Sequence, residues 1–414
     1  MTIASDSGQG DPTLVLMHFF GSSHHEWEAV LPLLEDAAVA EHDHPAVGAG
    51  HDRHEQRRQN DQHDPAALRG AGAQVVVIDD GRSFEHSVKL QGGRFVEFTM
   101  KAGFCLNPFS MIDGERAAED EDYRLDCFGM VKAIVGQMAR HSAKLNDTER
   151  GLIDRAVNMV WSERGVDASI TGVGEALAGL GNEAASDLAT ALAPYMAGGT
   201  YGAFFEGQAS LDLDTDFTVF EMSDLAAREE LRSVVLSAIM FMTSQAMTRS
   251  PRSVRKLLLI DEAWSMLKGG SMGEFVETYA RTCRKYGGAL ATATQSLNDY
   301  YKSDGATAAL ENSDWMLILQ QKPETIADFK ASKRLDMDDR TETLIRSLKR
   351  SGSDYSEVFI KGPETEAIGR LVLDDYSATL FSSSPQTFAA IDAEIARGHQ
   401  LADAIERIAF ANRT

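Results

Sequence analysis

Four apolar residues, Leu257 to Ile260, run straight into two acids, Asp261 and Glu262, in the stretch RKLLLIDEAWSML. An all-apolar strand delivers the first carboxylate to its carboxyl end, where it can hold a nucleotide-bound Mg2+, usually through water. The second can polarise an attacking water. This is the Walker B pattern, although buried strands also end in Asp for structural reasons alone. The next apolar stretch, GGALATATQSLNDY, sets the unbranched polar Gln295 just past its end, where a side chain sensing the outermost phosphate would stand. Between the two lies GEFVETYARTCRKYGG, whose Arg281 and Arg284 are one turn apart and could reach across a subunit boundary to a phosphate. A Glu277–Arg281 pair at i, i+4 is the plainer reading of the same helix. VVVIDD offers a second apolar run ending in acids, Asp79 and Asp80, which could itself pass for Walker B. It stands before the helical stretch with no sensor-like strand soon after, which favours the later pair for catalysis.

Other chemistries fit less well. Gly269 to Gly273 spells G-x-S-x-G, but a nucleophile elbow needs its strand immediately before the first glycine, and AWSMLK intervenes here. His42, His44, His51 and His54 are close enough in sequence to suit a metal but have no ordered frame to fix them. Cys105, Cys127 and Cys283 are few, odd in number and far apart, as in a reducing compartment rather than a disulfide framework. The formal charge of -23 argues against a broad basic surface for nucleic acid. Local basic patches remain at Arg249, Arg252, Arg255 and Lys256, and at Lys330, Lys333 and Arg334, and these leave DNA contact as an open possibility.

The elements that must position these residues alternate. Strands are expected at Gln74 to Asp79, Phe95 to Met100, Phe217 to Met222, Leu257 to Asp261, Ala289 to Thr294 and Trp315 to Leu319, by their β-branched and apolar runs. Helical text of suitable length separates most of them, which is the signature of parallel strands with crossover helices, an α/β architecture. Residues 114–199 read as helices, one of them starting at Asn146 with Glu149 in its first turn. Ser356 to Lys361 and Ile368 to Leu373 read as an antiparallel hairpin, and a single helix is expected from Pro385. Residues 14–34 read as strand, turn and helix. From Asp36 to Pro65 there is no Leu, Ile, Met, Phe, Trp or Tyr, so that stretch reads as disordered. The first dozen residues carry no apolar signal-peptide run, and no stretch of about 18 apolar residues occurs, so a cytoplasmic chain is expected.

From about Gly70 onward the chain resembles the carboxyl-terminal motor half of the F-type TraC family, within the type IV secretion and conjugation ATPases. The stretches that carry the resemblance are QVVVIDDGRSFEHSVKLQGGRFVEF, FCLNPFSMI, YGAFFEG, FTVFEMSDL, LLLIDEAW and RKYGGALATATQS, in family order. The resemblance implies a RecA-like P-loop NTPase sheet with an all-α insertion, a carboxyl-terminal β-hairpin and a helix. It implies ATP and Mg2+ as cofactors, with Asp261 metal-associated, Glu262 catalytic, Gln295 the sensor, and Asp79 and Asp80 in nucleotide or structural contacts. It also implies hexamer-type assembly with other secretion-complex subunits at the cytoplasmic face of the inner membrane, in pilus assembly and substrate transfer.

The expected segments are 1–35, which resembles the start of an α/β-hydrolase; 36–69, anomalous; 70–113 and 210–384, the two parts of the motor core; 114–209, the helical insertion; and 385–414, the terminal helix. Such a motor needs G-x-x-x-x-G-K-[ST], whose backbone N–H groups and lysine grip the phosphates. No lysine follows a glycine anywhere in the 414 residues. By family order that loop falls before Gly70, so the two halves read as a fusion, a rearranged gene or a reading-frame error. Impaired catalysis is expected, or a catalytically inactive assembly subunit; a serine hydrolase is the remote alternative.

Overall fold

A computed structural model describes residues 14–19, 72–101, 103–213, 215–262, 265, 267–268, 272–294, 296–332, 337–351, 355–363, 366–382 and 384–411. The turn and helix expected at 20–34, the segment from Asp36 to Pro65 with its histidines, and Gln295 lie outside these residues.

The strands are β1 (Leu14–Phe19), β2 (Gln74–Asp79), β3 (Arg94–Glu97), β4 (Phe217–Glu221), β5 (Lys256–Ile260), β6 (Gly288–Thr294), β7 (Trp315–Leu319), β8 (Arg350–Ser351), β9 (Tyr355–Lys361) and β10 (Glu366–Leu371). They form one sheet in the order β10-β9-β7-β1-β6-β5-β2-β4-β3, with β8 paired to β9. β3, β4, β2, β5 and β6 are parallel neighbours. The alternation in the sequence therefore reports the architecture correctly. Several strand bounds differ from the sequence reading: β4 ends at Glu221, β5 runs Lys256–Ile260 and leaves Asp261 just beyond it, β6 begins at Gly288, β9 at Tyr355, and β10 ends at Leu371. β3 begins one residue earlier than expected and ends at Glu97, and β10 starts at Glu366 rather than Ile368 because its register is set by pairing with Lys361 across the turn.

Beyond β6 the order ceases to be parallel: β9 is antiparallel to β7, β8 and β10, and β1 breaks the order inside the sheet. It lies between β6 and β7 and runs antiparallel to both, Leu14 facing Thr294 on one side and Ile318 on the other.

The parallel strands are buried on both faces. Along β2, Val76 and Ile78 enter the larger core, while Val75 and Val77 enter a second cluster with Phe84, Phe217, Leu257 and Trp315. A strand covered on both sides cannot show period-two alternation, which is why these segments read as continuous apolar runs.

The helices are α1 (Glu85–Leu90), α2 (Gly114–Glu119), α3 (Glu121–Ala139), α4 (Asp147–Arg164), α5 (Ile170–Gly179), α6 (Glu183–Leu192), α7 (Glu229–Arg249), α8 (Met272–Lys285), α9 (Asp304–Glu311), α10 (Pro323–Ser332), α11 (Asp339–Ser347), α12 (Asp375–Leu380), α13 (Pro385–Ala396) and α14 (Leu401–Phe410). The start of α4 is the expected one. Asn146 accepts from Glu149 N at 2.9 Å and Glu149 returns a bond to Asn146 N at 3.0 Å, a reciprocal capping box. The single terminal helix expected from Pro385 is instead two, α13 and α14. Gly398 between them has φ +94°, a left-handed backbone that ends a helix.

Helices α3 to α6 are not a separate body, because their Val131, Ile134, Val157 and Leu188 belong to the same buried cluster as Ile78, Val234 and Tyr279. Two of the stretches that carry the family resemblance stitch this helical layer to the sheet. Leu106 N donates to Phe204 O at 2.6 Å, and Asn107 Nδ2 donates to Ala168 O and Gly207 O, both at 2.9 Å. In YGAFFEG a Cβ on Gly202 would stand 2.2 Å from the carbonyl oxygen of Met196, a backbone atom that cannot swing aside. Gly202→Ala is therefore expected to cost about 3 kcal/mol or more. A denaturant midpoint within error of wild type would show that the 196–202 turn can open.

Candidate functional site

In a parallel sheet the strand ends and the loops that follow them collect at the carboxyl edge, where ligands bind. Here β2, β4 and β5 are neighbours in the order β5-β2-β4, and each apolar run stops in acids: Asp79 and Asp80, Glu221, then Asp261 and Glu262. The strand ends are tied to one another, since Asp261 N donates to Ile78 O and Met222 N donates to Asp79 O, each at 2.9 Å. Five carboxylates so collected repel one another and are poorly hydrated.

Asp79 is fully buried. Its Oδ2 accepts from Phe84 N at 3.0 Å, and its Oδ1 has no hydrogen-bond partner among the described residues. Burial first, then the charges of Asp261 and Glu221, push its carboxyl well above the usual carboxylate range. Asp261 is pushed up to about 7, by burial first and then by Glu262, Asp80 and Glu221, while the bond from Glu262 N to its Oδ1 at 2.9 Å works the other way. Glu262 sits at φ +49°, a left-handed conformation unusual for a side chain this long, in the turn that leaves β5.

The counter-charges are few. Arg232 on α7 is buried and pairs with Asp80, and its Nε has no hydrogen-bond partner among the described residues. Arg82 turns outward to Glu85 and Glu97. An edge of this kind, with an orphaned buried carboxylate oxygen and a carboxyl held near neutrality, is deficient in positive charge and fits a divalent cation. Among the described residues no group of three or more His, Cys, Asp or Glu converges as a metal cage. Mg2+ ordinarily keeps several waters and takes only one or two carboxylates.

The sequence expectations map onto this geometry unevenly. Asp79, Asp80, Asp261 and Glu262 are brought together. At the end of β6, Thr294 Oγ1 and Ser296 N both donate to Asp299 Oδ2, at 2.9 and 3.0 Å, which ties the chain on either side of position 295. Arg281 is exposed near the carboxyl end of α8, which leads into the amino end of β6, so it stands away from the acids of its own chain. Its expected pair with Glu277 is absent from the ion pairs among the described residues. Arg284 lies in the same last turn of α8.

Of the basic patches, three residues are engaged internally, Arg252 and Arg255 are exposed, and Lys333 and Arg334 lie outside the described residues. Lys256 is buried and donates to Pro251 O and Tyr286 O, Arg249 donates to Met111 O, and Lys330 pairs with Asp339 and Glu342. Two site residues were missed by the sequence reading, Glu221 and Arg232. FTVFE has the same apolar-run-into-acid form as the two stretches that were singled out. Arg232 is an arginine amid Leu231, Val234, Val235 and Leu236, a place where only an internal partner makes the charge tolerable.

A model of the TraG P-loop domain matches residues 183–409, more than half of the chain. The chain belongs to the TraG P-loop domain family. Within it, Protein TraC of Escherichia coli (strain K12) is 26% identical over 360 residues, covering 82% of this chain and 40% of that protein. The type IV secretion system protein virB4 of Bartonella henselae is 26% identical over 158 residues, 37% of this chain and 20% of that one. This TraG P-loop chain thus spans well under half the length of the curated relatives it matches.

The solved VirB4 of Thermoanaerobacter pseudethanolicus superposes with a TM-score of 0.57 at 18% identity, over 73% of this chain and 83% of that one. The sheet has the α/β, RecA-like fold of a P-loop NTPase, and the proteins the chain resembles include TraC and VirB4. Among the described residues no helix is long and apolar enough to cross a membrane.

Proposed function

We propose that this chain is the motor portion of a type IV secretion and conjugation ATPase, with Mg-ATP addressed to the carboxyl edge of β5, β2 and β4. The observation that carries the reading is the convergence of Asp79, Asp261 and Glu262 at adjacent strand ends in a cation-deficient edge. When bound, Mg2+ neutralises charge on the phosphates and draws electron density from the bond to be broken. Asp261 would hold it, through water; Glu262, in the left-handed turn that leaves β5, would orient the attacking water and take its proton; Gln295 would read the outermost phosphate; Asp79 and Asp80 would complete the nucleotide contacts. Arg281, near the end of α8 that leads into the amino end of β6, and Arg284, one turn apart from it in the sequence, serve a neighbouring protomer in a hexamer-type ring. The chain works with other secretion-complex subunits at the cytoplasmic face of the inner membrane, in pilus assembly and substrate transfer, with residues 70–113 and 210–384 as motor core, 114–209 as insertion and 385–414 as terminal unit.

Hydrolysis is impaired, because no Gly-Lys pair is available to grip the phosphates. That same absence favours the second reading, an assembly subunit that keeps the motor fold and its interfaces without turnover. Phosphate release measured with malachite green in Mg-ATP separates the two. The motor reading expects weak turnover that Glu262→Gln lowers by about 100-fold or more, the contribution of a positioned base. Turnover equal in wild type and variant would remove Glu262 from the chemistry. An absence of Mg-ATP binding by calorimetry would leave the assembly role.

A further inference from the structure

We infer that Glu221 is the positioning residue of this edge: its carboxylate fills a cradle of backbone N–H groups and so holds the Asp79–Arg82 loop in place for a divalent cation. Glu221 is buried at the end of β4. Its Oε2 accepts from Arg82 N at 2.7 Å, and its Oε1 accepts from Ser223 N at 2.8 Å and from Gly81 N at 3.3 Å. Gly81 and Arg82 have φ of +129° and +63°.

Successive N–H groups turned inward by such dihedrals make a concavity that selects an anion. Here the anion is a side chain of the protein. No residue between β2 and α1 supplies that charge, so the loop's shape depends on an acid delivered from the neighbouring strand. The loop carries Asp79 and Asp80, and Arg232 grips Asp80 from the opposite side. Glu221 thus holds the backbone that follows the two aspartates while Arg232 holds the Asp80 side chain, and both oxygens of Glu221 are engaged by backbone N–H groups. Phe98 N, bonded to Glu221 O at 3.0 Å, fixes the backbone from which it reaches.

The metal part of this inference rests on the proposed nucleotide edge, and the experiment reads the two separately. Amide hydrogen exchange is measured on ligand-free protein, and Mn2+ affinity by electron paramagnetic resonance of the free ion. Glu221→Gln keeps the size but turns an NH2 group towards at least one of the three donors. It is expected to speed exchange at Gly81, Arg82 or Ser223 by tenfold or more, with exchange in the centre of β2 unchanged, and to weaken Mn2+ binding at least fivefold. Glu221→Asp, which keeps the charge but shortens the reach, is expected to release the Arg82 amide and serves if the glutamine variant does not fold. Unchanged exchange at all three amides overturns the brace. Faster exchange with Mn2+ affinity equal to wild type reduces Glu221 to a structural residue. A wild-type protein that binds no Mn2+ overturns the proposed edge function together with the metal role, while the exchange result still decides whether Glu221 shapes the loop.

Discussion

Asp261→Asn stabilises the metal-free protein above pH 7, and the gain fades as the pH falls towards 4. The folded chain holds the Asp261 carboxyl at about 7, whereas an unfolded chain ionises it in the ordinary carboxylate range. Between those values the folded state carries the extra proton, so wild-type stability falls as pH rises through that window and then levels off. Asparagine keeps the shape without the titration. At about 1.4 kcal/mol for each tenfold change in proton affinity, discounted for partial solvent access, the gain is on the order of 2 to 4 kcal/mol at pH 8. Thermal or denaturant midpoints of the two proteins between pH 4 and pH 8, in chelator, give the measurement. Adding Mg2+ should narrow the gap, because a cation bound to the folded state alone stabilises wild type and not the variant. A difference that does not vary with pH would mean that Asp261 is ionised in the folded protein and that its neighbours do not press on it.

The second large effect is expected at Arg232, buried on α7 and paired with Asp80. Removing the guanidinium leaves a carboxylate in a crowd of carboxylates, while the pair itself is a modest net contributor once desolvation is counted. Arg232→Ala should therefore cost about 3 kcal/mol, and Arg232→Ala combined with Asp80→Asn clearly less than the sum of the single changes. Urea titrations interpreted at constant slope test this. Additivity within about 0.5 kcal/mol would show that the two side chains are energetically independent despite their contact.

The parts of this molecule that were legible in the sequence are those in which one short stretch carries the whole signal. LLLIDE and VVVIDD announce a buried strand and the acid at its end, and Asn146 with Glu149 announces a helix start, because strand ends and caps are local events. Glu221 carried the same signal in FTVFE, but a single acid after a strand has no meaning until its neighbours in the sheet are known. Arg232 is intelligible only once Asp80 is beside it. The break at Gly398 was masked because Ile391, Leu401, Ile405 and Ile408 enter one apolar cluster from either side of the turn and Phe388 stacks on His86, while Ile395, which looks like one of the same series, is exposed. The apolar spacing from Ile395 to Leu401 does not keep helical phase, and that is the trace the break left. Strand direction has no local signature at all: LVLMHF reads identically whether it enters a sheet parallel or antiparallel, so the reversed placement of β1 required the whole sheet.

That placement has a consequence for how the protein is made. β1 leaves the ribosome early, yet both of its neighbours, β6 and β7, lie in residues 288–319. At common rates of synthesis the wait is on the order of tens of seconds. Until then LVLMHF is an unpaired apolar segment, and once β6 and β7 are made they face an empty lane with open backbone on both banks, the kind of surface that recruits strands from other chains. Among the described strands, β1 is made before both of the strands that enclose it, so the yield of folded protein should depend on chaperone capture of that segment more than on the stability of the finished core.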